Sequence, residues 1–280
     1  MSDEILQLYP QPTQRHALHG LYLQHNLRAL ATGRIRPFVY TDYVTSIDGR
    51  IAVPHPTKPG LTVPKQVAND RDWRLFQELA VQADVIITSG RYLRDYADGR
   101  AQEILNVYDD PAFADLRDWR AAHALPPYPD LVVVSASLDF PVPAALKKEG
   151  RKVIIATVDT ADPVRVDALR DQAAHIIVAG GMLVQGAPLV DALHDLGYQL
   201  IYNATGPNVM HLLLADGVLD RLYVTLAHRL LGGAPFAGMV EGPLLEPPVD
   251  LTLNTLYLDT VGFDGVGQMF VSYDCTSRGA

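Results

Sequence analysis

Three short polar segments of the sequence carry residue types that suit ligand binding, and each follows a stretch with the pattern of a buried strand. They are Ser46-Ile47-Asp48-Gly49, Thr88-Ser89-Gly90 and Thr205-Gly206-Pro207-Asn208. Because the carboxyl ends of parallel strands lie at one edge of a sheet, the turns that follow such strands converge there. We therefore expect one binding site that is built from these three turns.

The third turn has the features of an anion site. Val209 to Leu214 is predicted to be a helix, and a helix N-terminus offers free N–H groups and a positive dipole. Gly206, just before that helix, lets a phosphate approach the backbone closely. Taken alone, such a helix start also occurs as an ordinary cap, so the phosphate interpretation depends on the neighbouring turns.

Several common chemistries lack their residue patterns here. The nine His show no H-E-x-x-H or other metal-ligand spacing, so we expect no metal site. No G-x-S-x-G marks a serine hydrolase, and no G-x-G-x-x-G opens a helix as in an ordinary Rossmann fold. Cys275 has no histidine near it in the sequence. The remaining polar turns suit hydride transfer, because a cofactor then carries the reaction and the protein binds and orients.

Composition narrows the choice of partners and location. The chain has 280 residues, and its formal net charge of -9 argues against nucleic acid as a partner. A phosphorylated metabolite stays compatible, because a few N–H groups and arginines hold it locally. No apolar run approaches the ~18 residues of a membrane span. With a single cysteine and no signal-like N-terminus, a cytoplasmic location is expected.

Strand and helix patterns alternate over most of the chain. Strands are predicted near residues 37–45, 84–87, 131–134, 153–155, 175–178 and 199–202, and helices lie between them, among them 65–83. This alternation indicates βαβ units and a mostly parallel sheet with helices on both faces. From Asp220 three strands follow without a helix, which predicts an antiparallel edge. Asp264-Gly265 between the last two predicts a hairpin, and Gly232-Gly233 is expected to shape a turn.

We expect an N-terminal extension at residues 1–33 and one domain at residues 34–280. The extension is polar, and Tyr9-Pro10-Gln11-Pro12 interrupts regular structure in it. Residues 17–31 are predicted to form a helix. No repeat or linker divides the rest of the chain.

In order and spacing, these segments resemble the reductase domain of riboflavin biosynthesis, whose fold is that of dihydrofolate reductase. The family's S-L-D-G-x-I-A corresponds to Ser46–Ala52, and its A-D-A-I-L-V with the following G-x-G-T-V-x-x-D corresponds to Ala83–Asp95. Its E-G-G-P corresponds to Ala204–Pro207, and its D-E-L with a later G-G corresponds to Asp220–Gly233. The resemblance covers residues 36–273 and implies a dihydrofolate-reductase-like α/β fold.

The resemblance also implies a function and a set of site residues. It implies NADPH as cofactor and a reaction like that of 5-amino-6-(5-phosphoribosylamino)uracil reductase, with hydride transfer to a ribose carbonyl or imine carbon. The substrate would lie near Ser46, Asp48 and Asp95, with Asp48 and Asp95 as the catalytic residues that orient its hydroxyls. A homodimer is implied. The cofactor would contact Thr88, Ser89, Gly90, Arg91, Thr205, Gly206, Pro207, Asn208 and Val209.

Four positions depart from the family's pattern. Ala204 stands where the family has an acid that faces the substrate, Thr205 replaces the first glycine of E-G-G-P, and Asp42 stands where a Lys is common. Arg91 replaces a Thr that touches the cofactor, and a guanidinium suits a 2′-phosphate. Two alternatives therefore stay open: the same fold and cofactor with a pterin, folate or other small molecule, and a non-catalytic dinucleotide-binding protein.

Overall fold

A computed structural model describes residues 4–58 and 60–276; residues 1–3 of the predicted extension and 277–280 of the predicted domain lie outside this range. The strands are β1 (Glu4–Tyr9), β2 (Gln14–Ala17), β3 (Phe38–Ser46), β4 (Val53–Pro54), β5 (Leu61–Thr62), β6 (Val85–Ser89), β7 (Asp130–Val134), β8 (Val153–Thr157), β9 (His175–Val178), β10 (Leu200–Asn203), β11 (Arg221–Ala227), β12 (Leu251–Asp259) and β13 (Gln268–Cys275). The helices are α1 (Leu27–Ala31), α2 (Asp70–Ala80), α3 (Gly90–Ala97), α4 (Ala114–Ala122), α5 (Pro163–Arg170), α6 (Gly186–Asp195) and α7 (Pro207–Ala215). Short 3₁₀ helices cover Leu23–His25, Pro111–Phe113, Ala144–Gly150 and Phe263–Gly265.

Eleven of these strands form one sheet in the order β2-β1-β12-β13-β11-β3-β10-β6-β7-β8-β9. From β11 to β9 every neighbouring pair is parallel, whereas β13, β12, β1 and β2 pair antiparallel. The predicted mostly parallel sheet with an antiparallel C-terminal edge is therefore confirmed. The hairpin expected at Asp264-Gly265 joins β12 to β13.

The central strands of the sheet are buried on both faces. Successive side chains of a strand point to opposite faces, and the two sets pack into two different hydrophobic clusters. Tyr40 of β3 belongs to the hydrophobic cluster under α2, and its hydroxyl donates to the carbonyl of Leu79 at 2.7 Å. Its neighbour Val39 belongs to a second cluster, which contains residues of α6 and α7. A strand buried on both faces needs a continuous apolar run, and Val85, Ile86 and Ile87 supply one, each fully buried.

Two predicted helices are shorter than expected. The helix expected over residues 17–31 is reduced to α1, because Asn26 adopts the left-handed conformation, with a φ of 44°, that Asn tolerates better than most residues. The helix expected over residues 65–83 begins only at Asp70. The carboxamide oxygen of Asn69 accepts hydrogen bonds from the N–H groups of Arg71 and Asp72, which caps the helix there.

Residues 4–31 contribute directly to the sheet and to one of its covering layers. β1 and β2 extend the antiparallel edge beyond β12. The carboxylate of Glu78 on α2 accepts hydrogen bonds from the backbone N–H groups of Gly20 and Tyr22, at 2.6 and 2.8 Å. Buried charge-assisted bonds of this kind hold the segment firmly against α2. None of the helices in the described part of the chain is long and apolar enough to cross a membrane.

Candidate active site

The three polar turns follow three adjacent strands, because β10 lies between β3 and β6. Asn203, the last residue of β10, pairs with Thr41 of β3 and with Ile87 of β6. The N–H of Ala204 donates to the carbonyl of Ile87 at 3.1 Å, which ties the start of one turn to the strand that precedes another. The turns therefore leave the sheet at one edge, as the parallel arrangement predicts.

The turn after β10 is held by side chains of β3. The hydroxyl of Thr205 donates to the Asn203 carboxamide at 2.6 Å, and the Asn203 amide donates to the hydroxyl of Thr41 at 3.1 Å. The hydroxyl of Tyr43 donates to the carbonyls of Thr205 and Gly206, at 3.2 and 3.3 Å. These bonds fix the backbone immediately before α7, which is what a preformed ligand loop requires.

The start of α7 is open. Gly206 is its N-cap residue and Pro207 its first helical residue, and no side chain caps it. Its first turn therefore presents the N–H groups of Asn208 and Val209 without a side-chain acceptor. A Cβ added to Gly206 would meet no atom within 4 Å, and its φ of -79° is an ordinary value. The Cβ position of this glycine therefore faces open space at the start of the helix.

The turn after β6 differs from the turn after β10 because a side chain caps the helix that follows it. The hydroxyl of Ser89 accepts a hydrogen bond from the N–H of Tyr92 and caps α3. A Cβ on Gly90 would lie 2.6 Å from the Phe140 ring, so close packing requires this glycine. Thr88 is fully buried. Of the residues predicted here, Ser89 and Gly90 begin the helix, and Arg91 is the one that reaches a cavity.

A cavity of about 640 Å³ opens beside α3 and carries a strong positive charge. Arg91 and Asp95, both predicted site residues, line it, together with residues that sequence reasoning missed: His55, Lys58, Gly60, Leu61, Thr62, Arg94 and Arg100. Asp95 is ion-paired with Arg100 at 2.7 Å and lies 3.5 Å from Arg91. The lining thus contains four cationic side chains, from one lysine and three arginines, and a single carboxylate, that of Asp95. Such a surplus of positive charge suits the binding of a phosphate group. The close spacing of Arg91, Arg94 and Arg100 along the chain was the available signal.

Asp48 is held by bonds within the protein rather than by the cavity. Its carboxylate accepts from the hydroxyl of Ser46 at 2.5 Å, from Arg50 at 2.6 Å, and from the N–H groups of Leu231 and Gly232. These donors, that of Ser46 above all, lower the pKa of Asp48 to about 2. Asp48 is therefore ionised near neutral pH and fixes the loop at Gly232-Gly233, which turns at positive φ as expected. The structure joins Ser46 to Asp48, but Asp48 does not line the cavity with Asp95.

Two carboxyl groups with a raised pKa lie beneath the same edge. Asp42 of β3 is partly exposed and accepts a hydrogen bond from the hydroxyl of Tyr202, and burial raises its pKa to about 6. Asp72 of α2 is 9% exposed, and burial raises its pKa to about 7 even though the hydroxyl of Thr225 donates to it. Carboxyl groups whose pKa is raised by burial are frequent in functional sites.

Sequence reasoning noted Asp42 only as a departure and missed Asp72. A signal for Asp72 existed, because it lies three and seven residues before Leu75 and Leu79 and so shares their buried face of α2. Among the residues that the structure describes, no three His, Cys, Asp or Glu side chains come together as metal ligands would.

The chain is similar in sequence to a known protein family and to a named enzyme. The model of the RibD C-terminal domain matches residues 37–262. A relative from Methanothermobacter thermautotrophicus, named 2,5-diamino-6-ribosylamino-4(3H)-pyrimidinone 5′-phosphate reductase, is 24% identical over 216 residues, which are 77% of this chain and 89% of that protein.

Solved structures share the fold. A pyrimidine reductase-like protein from Corynebacterium diphtheriae aligns with a TM-score of 0.64 at 21% identity, over 86% of this chain and 93% of that one. The riboflavin biosynthesis reductase Rib7 of Saccharomyces cerevisiae aligns with a TM-score of 0.58 at 16% identity, over 92% and 99% of the two chains. The predicted α/β fold with a mostly parallel sheet is therefore confirmed, and these two structures share it.

The raised pKa of Asp72 predicts a measurable pH effect on stability. A carboxyl whose folded pKa exceeds its unfolded value stabilises the protein at low pH, and this contribution is lost as the pH rises through the folded value. Asp72→Asn removes the ionisation and keeps the shape. From about pH 5 to about pH 8, the variant should lose less unfolding free energy than the wild type, by on the order of 2 to 4 kcal/mol.

Urea denaturation at several pH values measures this difference. Asp171→Asn, at an exposed position, is the matched control and should keep the wild-type pH dependence. If Asp72→Asn and the wild type show the same pH dependence, Asp72 does not titrate as a buried group.

Proposed function

The chain belongs to the family of the RibD C-terminal domain, and from this membership we propose that it is an NADPH-dependent reductase of a small phosphorylated substrate. The observation that carries the proposal is the open start of α7 at the same sheet edge as a cavity lined by four cationic side chains. A dinucleotide phosphate and a sugar phosphate both need such N–H groups and guanidinium groups.

The residues present fit the cofactor's phosphates, because the Cβ position of Gly206 faces open space and no side chain caps the start of α7 by a hydrogen bond. We assign Thr205, Gly206, Pro207, Asn208 and Val209 to the backbone site for its phosphates. Among the residues at the start of α3, Arg91 would bind the 2′-phosphate, while Thr88, Ser89 and Gly90 hold the helix in place. When bound, NADPH supplies a hydride at this edge.

The two aspartates predicted as catalytic receive different roles in this proposal. Asp48 is ionised and fully engaged with Ser46, Arg50 and the loop at Gly232, so we assign it to positioning that loop beside the substrate. Asp95 lies within the cavity, and we assign it to orienting Arg91 and Arg100 or a substrate hydroxyl. Neither assignment needs Asp48 as a proton donor, because a carboxyl with a pKa of about 2 holds no proton near neutral pH.

For the substrate we propose a ribosylaminopyrimidine 5′-phosphate. The relative from Methanothermobacter thermautotrophicus is named for such a compound. By analogy, the ribose carbonyl or imine carbon would be reduced, and 5-amino-6-(5-phosphoribosylamino)uracil is the related substrate that the sequence resemblance implies. Ala204 in place of the family's acid favours one alternative, in which the same fold and cofactor serve a pterin, folate or other small molecule. A non-catalytic dinucleotide-binding protein is the second alternative.

Three further expectations stay predictions within this proposal. They are a homodimer, a cytoplasmic location and a domain boundary near residue 34.

Gly206→Leu tests the cofactor site. Because a Cβ at this position would meet no atom within 4 Å and the backbone conformation is ordinary, the variant should fold normally. Its side chain would occupy the space in front of Asn208 and Val209 and should abolish NADPH binding, measured by fluorescence titration. Gly181→Leu, at another exposed glycine facing open space, is the control and should bind NADPH normally. Unchanged affinity in Gly206→Leu would remove the assignment.

Arg91→Ala tests the choice between NADPH and NADH. A charge-assisted hydrogen bond to a phosphate contributes about 1.5 to 3 kcal/mol, so NADPH affinity should fall roughly tenfold to a hundredfold, while NADH affinity should not change. Arg117→Ala, an exposed arginine on α4, is the matched control. An equal loss of affinity for both cofactors would show that Arg91 does not bind the 2′-phosphate.

A further inference from the structure

Strand β3 continues past the end of β10 and leaves a crevice at the carboxyl edge of the sheet. The last parallel pair between the two strands joins Asn203 to Thr41, whereas β3 goes on pairing with β11 as far as Ser46. The five residues from Asp42 to Ser46 therefore have a neighbouring strand on one side only. On their other side the chain leaves β10 in the turn that begins at Ala204.

The helices that follow these strands lie on opposite faces of the sheet. Leu213 of α7 belongs to one hydrophobic cluster, whereas Leu75 of α2 and Leu93 of α3 belong to the other. The connection after β10 thus leaves on the face opposite to the connections after β3 and β6. In parallel α/β sheets ligands bind in the crevice at such a change of face. The gap between β3 and the turn after β10 is therefore a place where a ligand enters.

Asp42 is the residue of β3 at the bottom of this crevice. It is partly exposed, and the hydroxyl of Tyr202 donates a hydrogen bond to its carboxylate. Tyr202 belongs to the cluster that contains residues of α2, so Asp42 lies on the α2 face of the sheet. No cationic side chain of the described residues is among the groups that shift its pKa. The carboxyl thus opens into the crevice without a compensating positive charge.

Five titratable side chains surround Asp42. Those whose pKa the charge of Asp42 raises are Tyr22, Tyr43, Asp72 of α2 and Tyr202 of β10, and Tyr223 of β11 is its register neighbour. Burial raises the pKa of all four tyrosines, so they stay neutral near neutral pH. Asp72 has a pKa of about 7, and burial raises that of Asp42 to about 6. Near neutral pH a fraction of Asp42 therefore holds a proton.

The other carboxyls near this edge suit proton donation less well. A donor has to hold a proton when the hydride arrives and has to reach the substrate. Asp48 has a pKa of about 2 and is ionised. Asp95 is ion-paired with Arg100 in the cationic cavity. Asp72 is buried, whereas Asp42 combines a raised pKa with access to the crevice.

The proposed cofactor contacts direct the reacting ring toward Asp42. Arg91, assigned to the 2′-phosphate, follows β6, and the open start of α7 follows β10, the strand between β6 and β3. A dinucleotide held at these two places extends past β10 toward β3. Its nicotinamide end would then lie in the crevice beside Asp42.

We propose that Asp42 is the proton donor of the proposed reduction, and that the carboxylate it leaves faces the ring of the oxidised cofactor. The inference rests on the proposed reductase function and deepens it by naming the acid.

The step balances in atoms and charge. The carbonyl or imine carbon of the substrate gains a hydride with both electrons of a C–H bond, which oxidises NADPH to NADP+. The π bond of the substrate breaks, and its oxygen or nitrogen takes the proton of Asp42. The carboxylate later regains a proton from water. Until then it stabilises the positive charge that hydride loss creates on the ring.

Binding of NADP+ and of NADPH to the full chain at several pH values tests the position of Asp42 without a substrate. The two molecules differ in the charge of the nicotinamide ring, so the ratio of their affinities cancels the titration of the shared 2′-phosphate. From pH 5.5 to pH 8 the ratio should shift toward NADP+ by at least about tenfold, because Asp42 becomes a carboxylate. A ratio that does not change with pH would overturn the inference.

Three variants assign the shift to a residue. Asp42→Asn should remove it and keep the wild-type melting temperature, because the amide has the same shape and its oxygen still accepts from Tyr202. Asp171→Asn, at an exposed position, is the matched control and should keep the shift. Asp72→Asn should keep the larger part of it. A shift that survives Asp42→Asn, or that Asp72→Asn abolishes, would overturn the assignment.

Reduction of the ribosylaminopyrimidine 5′-phosphate with NADPH tests the proton transfer itself. The kcat/KM of the wild type should fall as the pH rises from 6 to 8. Asp42→Asn should lower kcat at pH 6 by about a hundredfold to ten-thousandfold and remove this pH dependence, whereas Asp42→Glu should recover part of the loss. A wild-type kcat and pH profile in Asp42→Asn would contradict the role of donor.

The cofactor titrations keep the inference distinguishable from the proposed function. If neither cofactor binds, the proposed function fails and the inference fails with it. If both bind and their ratio is independent of pH, the inference fails and the reductase function is retained. If the ratio shifts but the pyrimidine phosphate is not reduced, the proposed substrate fails and the position of Asp42 is retained.

Discussion

The parallel ladder that holds β10 between β3 and β6 is the constraint on which the whole site depends. Asn203 pairs with Thr41 on one side and with Ile87 on the other, and this register sets the level at which each of the three turns leaves the sheet. A shift by one residue would move every side chain of β10 to the opposite face. Tyr202 would then lose Asp42, and the bonds that tie Thr205 to Asn203 and Tyr43 would break.

That register also brings opposite charges to one edge. The cationic cavity beside α3 contains Arg91, Arg94 and Arg100, whereas the carboxyls of Asp42 and Asp72 lie beneath the edge between β3 and α2. A chain with a net charge of -9 thus keeps a local positive surface beside α3.

The sequence was informative where local patterns decide the structure. The apolar run Val85-Ile86-Ile87, the strand before Ser46 and the Asp-Gly hairpin were all predictable, because burial and turn geometry depend on neighbouring residues. The roles of Asp48 and Asp72 were not predictable from local patterns. Asp48 is fixed by the N–H groups of Leu231 and Gly232, far away in the sequence, and the burial of Asp72 depends on how α2 docks on the sheet. Strand β1 likewise pairs with β12, far away in the sequence, and β2 pairs with β1; no local signal indicates the pairing with β12.

Binding of the cofactor by the turns after β6 and β10 is tested most directly by amide hydrogen exchange of the full chain, measured with and without NADPH. We expect slower exchange at residues 205–209 and 88–92 when NADPH is present, and no change in the turn at Gly180-Gly181-Met182. Protection that is absent from both site turns, or that appears instead at the Gly180-Gly181 turn, would contradict it.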